Sequence, residues 1–186
     1  MTSTEAVSAE LRDLLFSRIR DVPDHPRQGV VFKDITPLLA DPAAFGGLVE
    51  ALAALCARHG ATKVVGLEAR GFILAAPAAA RAGIGFVPVR KAGKLPGDTL
   101  AQSYELEYGT AEIEVQTDAF APGDRVLVID DVLATGGTAE ASLDLIRRAG
   151  ATVAGVAVLL ELGFLGGRDR LAPALQGAPL DALLAV

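Results

Sequence analysis

The sequence has a single cysteine, Cys56, two histidines, His25 and His59, and no surplus of cationic side chains. One thiol forms no intrachain disulfide, and Cys56 falls on the apolar side of a helical pattern, so it reads as a buried, inert group in a reducing compartment. The histidines stand far apart with no cysteine at metal-ligand spacing, which argues against a zinc site built from protein ligands. The formal net charge of −6 has the wrong sign for a protein that grips nucleic acid through its overall field. Long apolar runs are missing too. Phe72 to Ala80 and Val153 to Leu160 fall well short of a membrane span, and Met1 to Glu10 is polar where a secretory signal carries an apolar core. The expectation is a cytoplasmic protein with neither a nucleic-acid nor a membrane partner.

What is present is enough for one folded unit. The 186 residues are 51% apolar and 22% charged, a globular composition sized for one sizeable core. Val7, Leu11, Leu14, Leu15 and Ile19 recur at helical spacing and predict a first helix ending before Pro23, with Asp21 to Gly29 as loop. Asp41 is a good N-cap before Pro42, and Phe45, Leu48, Val49, Leu52 and Cys56 share one face until Gly60. Strand-like runs at Lys63 to Leu67, Gly85 to Val89, Val126 to Asp130 and Val153 to Leu160 are interleaved with helical segments at Gly71 to Ala82 and Thr138 to Arg148. Continuous β-branched runs indicate strands covered on both faces, hence an α/β fold with a mostly parallel central sheet flanked by helices. Lys91 to Gly123 breaks this rhythm and reads as a mobile loop leading into an antiparallel ribbon at the sheet edge.

The strongest motif runs from Val126 to Thr138. A buried strand ends in Asp130 and Asp131, and Val132, Leu133 and Ala134 lead to Thr135-Gly136-Gly137-Thr138, which opens a helix. Glycines let the backbone approach a phosphate, the first helical N–H groups point at its oxygens, and the two threonine hydroxyls add donors. Paired carboxylates beside a phosphate suit a sugar, whose vicinal hydroxyls donate to them; they could also draw a magnesium ion close. The plain alternative is a helix cap at Asp131 and an ordinary turn. No Gly-Lys-Ser/Thr and no Gly-x-Gly-x-x-Gly stands where a triphosphate or dinucleotide site needs it.

The acids before the glycines resemble the phosphoribosyl pyrophosphate signature of the type I phosphoribosyltransferases. Four further blocks narrow the resemblance to the adenine phosphoribosyltransferase family: Val31 to Pro37, Gly66 to Phe72, Arg90 to Gly97 and Tyr104 to Gly109. With Glu161-Leu162 the likeness covers roughly residues 10 to 170 in register. It implies a type I phosphoribosyltransferase fold in one domain, 1–186, with an N-terminal helix and base-binding hood at about 1–40 and a flexible catalytic loop and ribbon at about 91–120. It implies magnesium, bound mainly through phosphoribosyl pyrophosphate rather than by protein ligands, and a homodimer.

The same resemblance assigns roles. Asp130, Asp131, Ala134, Thr135, Gly136, Gly137 and Thr138 would take the ribose and its 5′-phosphate. Arg70, Arg90, Lys91 and Lys94 would take pyrophosphate, with a non-proline cis peptide at Glu68-Ala69. Phe32 and Leu162 would flank adenine while the backbone of Val31 and Lys33 reads its edge. Glu107 would be the general acid/base, with Arg70 and Lys94 stabilising the departing charge, and Tyr108 would close over the substrate. Each has a bland alternative: a surface salt bridge for Arg70, a solvated cluster for the cations, core packing for Phe32 and Leu162, a solubilising charge for Glu107. A transferase for xanthine or hypoxanthine, or a regulator that senses phosphoribosyl pyrophosphate, stands as the competing function. The first residues and the tail from Pro173 to Val186 match the family poorly.

Overall fold

The computed structural model describes residues 7–105 and 109–186. Helix α1 (Ala9–Ser17) starts where Ser8 accepts a hydrogen bond from the Leu11 N–H, a side-chain cap for an otherwise unpaired donor. Two short strands follow, β1 (Arg20–Pro23) and β2 (Val31–Asp34), paired antiparallel with Val22 opposite Phe32. The loop expected at Asp21 to Gly29 is thus shorter, because its first residues are ribbon. The mostly exposed β1 carries no apolar alternation and is held by its partner strand.

After the short helix α2 (Thr36–Ala40) comes α3 (Pro42–Arg58), capped by Asp41, whose carboxylate accepts from the N–H groups of Ala43 and Ala44. Then β3 (Lys63–Leu67), α4 (Arg70–Ala82) and β4 (Gly85–Lys91) alternate, followed by the ribbon strands β5 (Thr99–Glu105) and β6 (Thr110–Gln116). The chain closes with β7 (Arg125–Leu133), α5 (Gly137–Arg148), β8 (Thr152–Glu161), a single 3-10 turn, α6 (Gly167–Leu175) and β9 (Leu180–Ala185).

Among the described residues the main sheet has seven strands in the order β5-β6-β4-β3-β7-β8-β9. The run from β4 to β9 is parallel, and β6 and β5 are antiparallel at one edge. Neighbouring residues on a strand face opposite sides, and the core divides accordingly. Val64, Leu127 and Ile129 pack with Leu48 and Leu52 of α3 and Leu74 of α4. Val65, Val126 and Val128 pack with Leu143 and Ile146 of α5 and Leu171 of α6. Helices therefore cover both faces, which is why the central strands β3, β7 and β8 are apolar except toward their ends.

Several bounds differ from expectation. β4 runs on through Arg90 and Lys91, because these pair with Glu114 and Ile113 of β6; the two cations lie on the strand and not beyond it. β7 likewise runs past Asp130 through Asp131 to Leu133, and α5 begins at Gly137, one residue before Thr138. The poorly matched tail is the end of α6 plus β9, an edge strand parallel to β8.

Candidate active site

Parallel strands bring their carboxyl ends to one edge of a sheet, and the turns that leave them collect there. At this edge the ends of β3, β7 and β8 meet the β2 hairpin around a cavity of about 450 Å³. Val31, Phe32 and Lys33 line it from the hairpin, Arg70 from the start of α4, and Leu162 from beyond β8. Asp130, Asp131, Ala134 and Thr138 contribute the β7 side. Sequence reasoning placed all of these in one site. It missed Val30, Val132 and Leu165, which share the lining, and gave Glu68 and Ala69, also in the lining, only as the cis peptide of the pyrophosphate loop.

On the β7 side Asp130 Oδ1 accepts from the Asp131 N–H at 2.9 Å. Burial, and then the neighbouring Asp131 carboxylate, push Asp130 well above the usual carboxylate range. Asp131 is buried; its Oδ2 lies 2.9 Å from Arg70 Nε yet accepts no hydrogen bond of acceptable geometry. The ion pair with Arg70 thus leaves this buried oxygen without a well-aligned donor, and a ligand hydroxyl or hydrated cation would complete its bonding. The Arg70 guanidinium also sits 4.9 Å from the centre of the Phe32 ring, and His25 packs edge-on against the same ring at 5.0 Å. Phe32 thus lines the cavity with the Arg70 guanidinium over its ring.

The turn after β7 is made for close approach. Gly136 has φ +82, a left-handed value that disfavours residues with a Cβ, and as N-cap of α5 it offers no side chain to the first helical N–H groups. These donors face the site end of the helix, where the dipole favours an anion. Behind the turn, a Cβ on Gly167 would lie 2.2 Å from the Ala134 carbonyl oxygen, so α6 packs directly on the turn. Thr138 Oγ1 is 3.2 Å from the Tyr104 hydroxyl of β5. Thr135 is exposed.

The remaining cations form a separate cluster around Glu68. Its Oε1 is 2.6 Å from Lys94 Nζ, its Oε2 is 3.3 Å from Arg90 Nε, and the Lys91 N–H donates to it at 2.9 Å. The Lys94 ammonium above all, with the Lys91 N–H and Arg90, holds this carboxyl down at about 2 against the effect of burial. Arg90 Nε itself is buried without a hydrogen bond of good geometry. The loop that carries Lys94 is tied to β6: Glu114 accepts from the N–H groups of Lys94 and Leu95 and from the Thr99 hydroxyl. Burial raises the Glu114 pKa, but these donors outweigh it and leave the group lowered. The Glu68-Ala69 peptide is cis, as expected. Glu107 and Tyr108 lie outside the described residues, so nothing here positions them.

With this fold and this sheet edge, the chain can be set beside known proteins. Residues 39–173 match the phosphoribosyl transferase domain. The adenine phosphoribosyltransferase of Streptomyces avermitilis is 74% identical over 183 residues, 98% of this chain and 100% of that protein. The chain belongs to the adenine phosphoribosyltransferase family. Among solved members, the Rhodothermus marinus enzyme superposes with a TM-score of 0.89 at 51% identity, covering 96% of this chain and 100% of that one. The Trypanosoma brucei enzyme, solved with AMP, pyrophosphate and ribose-5-phosphate, gives 0.85 at 27% identity over 96% of this chain and 80% of that one. The family's mostly parallel sheet, flanking helices and small antiparallel hood are all present.

Among the described residues no group of three or more His, Cys, Asp or Glu could hold a metal ion. Asp131 Oδ2, paired with Arg70 but lacking a well-aligned donor, nevertheless suits a cation that brings most of its ligands with a substrate.

Proposed function

We propose that the protein transfers a 5-phosphoribosyl group from phosphoribosyl pyrophosphate to adenine, forming AMP and releasing pyrophosphate. The carrying observation is that Phe32, the two carboxylates and the helix-opening turn line or border one cavity, each suited to one part of such a substrate pair. The base lies between Phe32 and Leu162, with the backbone of Val31 and Lys33 along its edge. A carbonyl that accepts from the 6-amino group meets a lone pair on a 6-oxo base, so hypoxanthine and guanine are rejected by unpaired acceptors.

Asp130 and Asp131 accept from the ribose hydroxyls, while the N–H groups of Thr135 to Thr138 and the threonine hydroxyls hold the 5′-phosphate. Held in line, base and anomeric carbon react without a covalent enzyme intermediate, and the barrier falls chiefly through orientation and charge stabilisation. Arg70, Arg90, Lys91 and Lys94 stabilise charge on the departing pyrophosphate. Magnesium, arriving mainly with phosphoribosyl pyrophosphate and held near Asp130 and Asp131, would supply further charge neutralisation there. Glu107 serves the adenine ring nitrogens as general acid/base, and Tyr108 excludes water. The whole chain works as one catalytic domain.

The same family reading makes the enzyme a cytoplasmic homodimer; Ile73, exposed on α4, is apolar surface that a second copy would bury, and light scattering checks the dimer. Among the described residues no helix is long and apolar enough to cross a membrane. The deciding assay supplies phosphoribosyl pyrophosphate, magnesium and each purine base in turn. AMP from adenine is the expected product; IMP or XMP without AMP overturns the base assignment.

A further inference from the structure

The cation cluster contains an acid that the reaction as described does not use. Glu68 stands just past the end of β3, its own N–H bonded to the Val89 carbonyl at 3.0 Å, and its side chain is only 10% exposed. Lys94, by contrast, is 48% exposed and reaches Glu68 from a loop. A carboxylate among cations that are to receive a pyrophosphate opposes that ligand by repulsion and by occupying their donors. Its place there calls for a role.

We propose that Glu68 is a resident counter-anion of the pyrophosphate subsite: it holds Lys94 and Arg90 when the site is free, yields them to the diphosphate, and takes them back as the product leaves. This deepens the functional reading above and rests on it. The asymmetry of the pair says which partner moves. Glu68 is pinned by a short strand-end backbone and Lys94 swings, so exchange costs a lysine rotamer change and leaves the sheet undisturbed. Lowered to about 2, the carboxyl is ionised throughout the neutral range and always available to compete. Arg90 is the looser partner: its buried Nε stands 3.3 Å from Glu68 Oε2 without good alignment, so little is lost when the guanidinium turns to another anion. A free Lys94 and Arg90 would bind pyrophosphate harder and release it more slowly; Glu68 sets that balance as a positioning residue.

The alternative is that Glu68 only props the cations in place, and the two roles predict opposite signs. Titration calorimetry of the full chain with pyrophosphate and magnesium compares wild type with Glu68→Gln, which keeps an acceptor oxygen for the Lys91 N–H and removes the charge. The counter-anion role predicts pyrophosphate binding tighter by about tenfold, the size of one hydrogen bond to a charged group, together with stronger product inhibition. Glu68→Asp, with its carboxylate drawn back by one methylene, falls between and serves if the Gln variant does not fold. In a Lys94→Ala background the gain from Glu68→Gln shrinks, since the exchanging cation is gone. Unchanged or weaker pyrophosphate binding in both Glu68 variants, or an undiminished gain without Lys94, overturns the proposal. A wild-type protein that takes up no pyrophosphate, with or without magnesium, overturns the functional reading beneath it, so the two failures are told apart.

Discussion

Two anion seats lie at the same sheet edge and are built from opposite materials. The turn from Thr135 to Thr138 offers backbone N–H groups, hydroxyls and a helix end, with no cation in the turn itself. The cluster at the ends of β3 and β4 offers Arg90, Lys91 and Lys94, already engaged with Glu68 through side chains and an N–H. In the proposed reaction the first seat keeps its phosphate from substrate to product, and the second must let its diphosphate go. A rigid, neutral grip suits the group that stays; ionic side chains with a competing partner suit the group that leaves.

Removing the charges in front of the rigid seat is expected to have the largest effect. Asp130→Asn with Asp131→Asn should lower kcat/KM on the order of a thousandfold, since two hydrogen bonds to charged groups are worth about 2 kcal/mol each. Stability should move the other way. Asp130 is raised well above its ordinary value, so the free protein loses stability as pH climbs from the unfolded carboxyl range through the folded one, and Asp130→Asn removes that loss. A melting temperature at pH 7 equal to or above wild type, with activity gone, is the expected pair of readings; full activity removes the carboxylates from the mechanism.

Next comes the geometry of the turn. Gly136→Ala puts a Cβ at φ +82, 2.9 Å from the Gly167 carbonyl oxygen, a strain of about 1–3 kcal/mol. AMP affinity should fall by roughly tenfold to a hundredfold if the turn holds the phosphate, while pyrophosphate affinity changes little; equal losses for both ligands would erase the distinction between the seats. Salt should separate them more gently. At 1 M ionic strength the Debye length is about 3 Å, so pyrophosphate inhibition, resting on partly exposed cations, should weaken severalfold more than AMP binding does. A parallel decline would mean both seats are ionic.

The smallest effect concerns acid stability. Glu68 is held at about 2 against an ordinary 4.5, so its ionised form favours the fold above roughly pH 4.5 and that contribution is lost as pH falls toward 2. The difference in melting temperature between wild type and Glu68→Gln should therefore narrow over this window. A gap that stays constant there means that Glu68 contributes nothing through its charge.

What was legible in the sequence follows the same division. The turn after β7 announces itself because its chemistry is local: apolar strand, acids, glycines and helix are consecutive residues. The Lys63 to Leu67 strand and the α3 cap at Asp41 were readable for the same reason. Glu68 was not readable as a site residue, since a carboxylate after a strand is unremarkable until β4 brings Arg90 beside it. The cation of Arg70 over Phe32 likewise joins residues 38 positions apart, and β1 shows no pattern of its own because pairing with β2 makes it a strand. The tail hid α6 and β9: Pro173 stands inside the helix, and the short run Leu180–Ala185 looks like any Ala- and Leu-rich end.

The packing of α6 against the turn gives one more consequence. At Gly167 there is no room for a single methyl group between the last helix and the Ala134 carbonyl, so this helix acts as a backstop that fixes how far the turn can recede. Position 167 touches no substrate in the proposed arrangement, yet a random library selected for activity should find it as unforgiving as the glycines it supports. Any alteration that nudges the last helix is felt from behind at the phosphate.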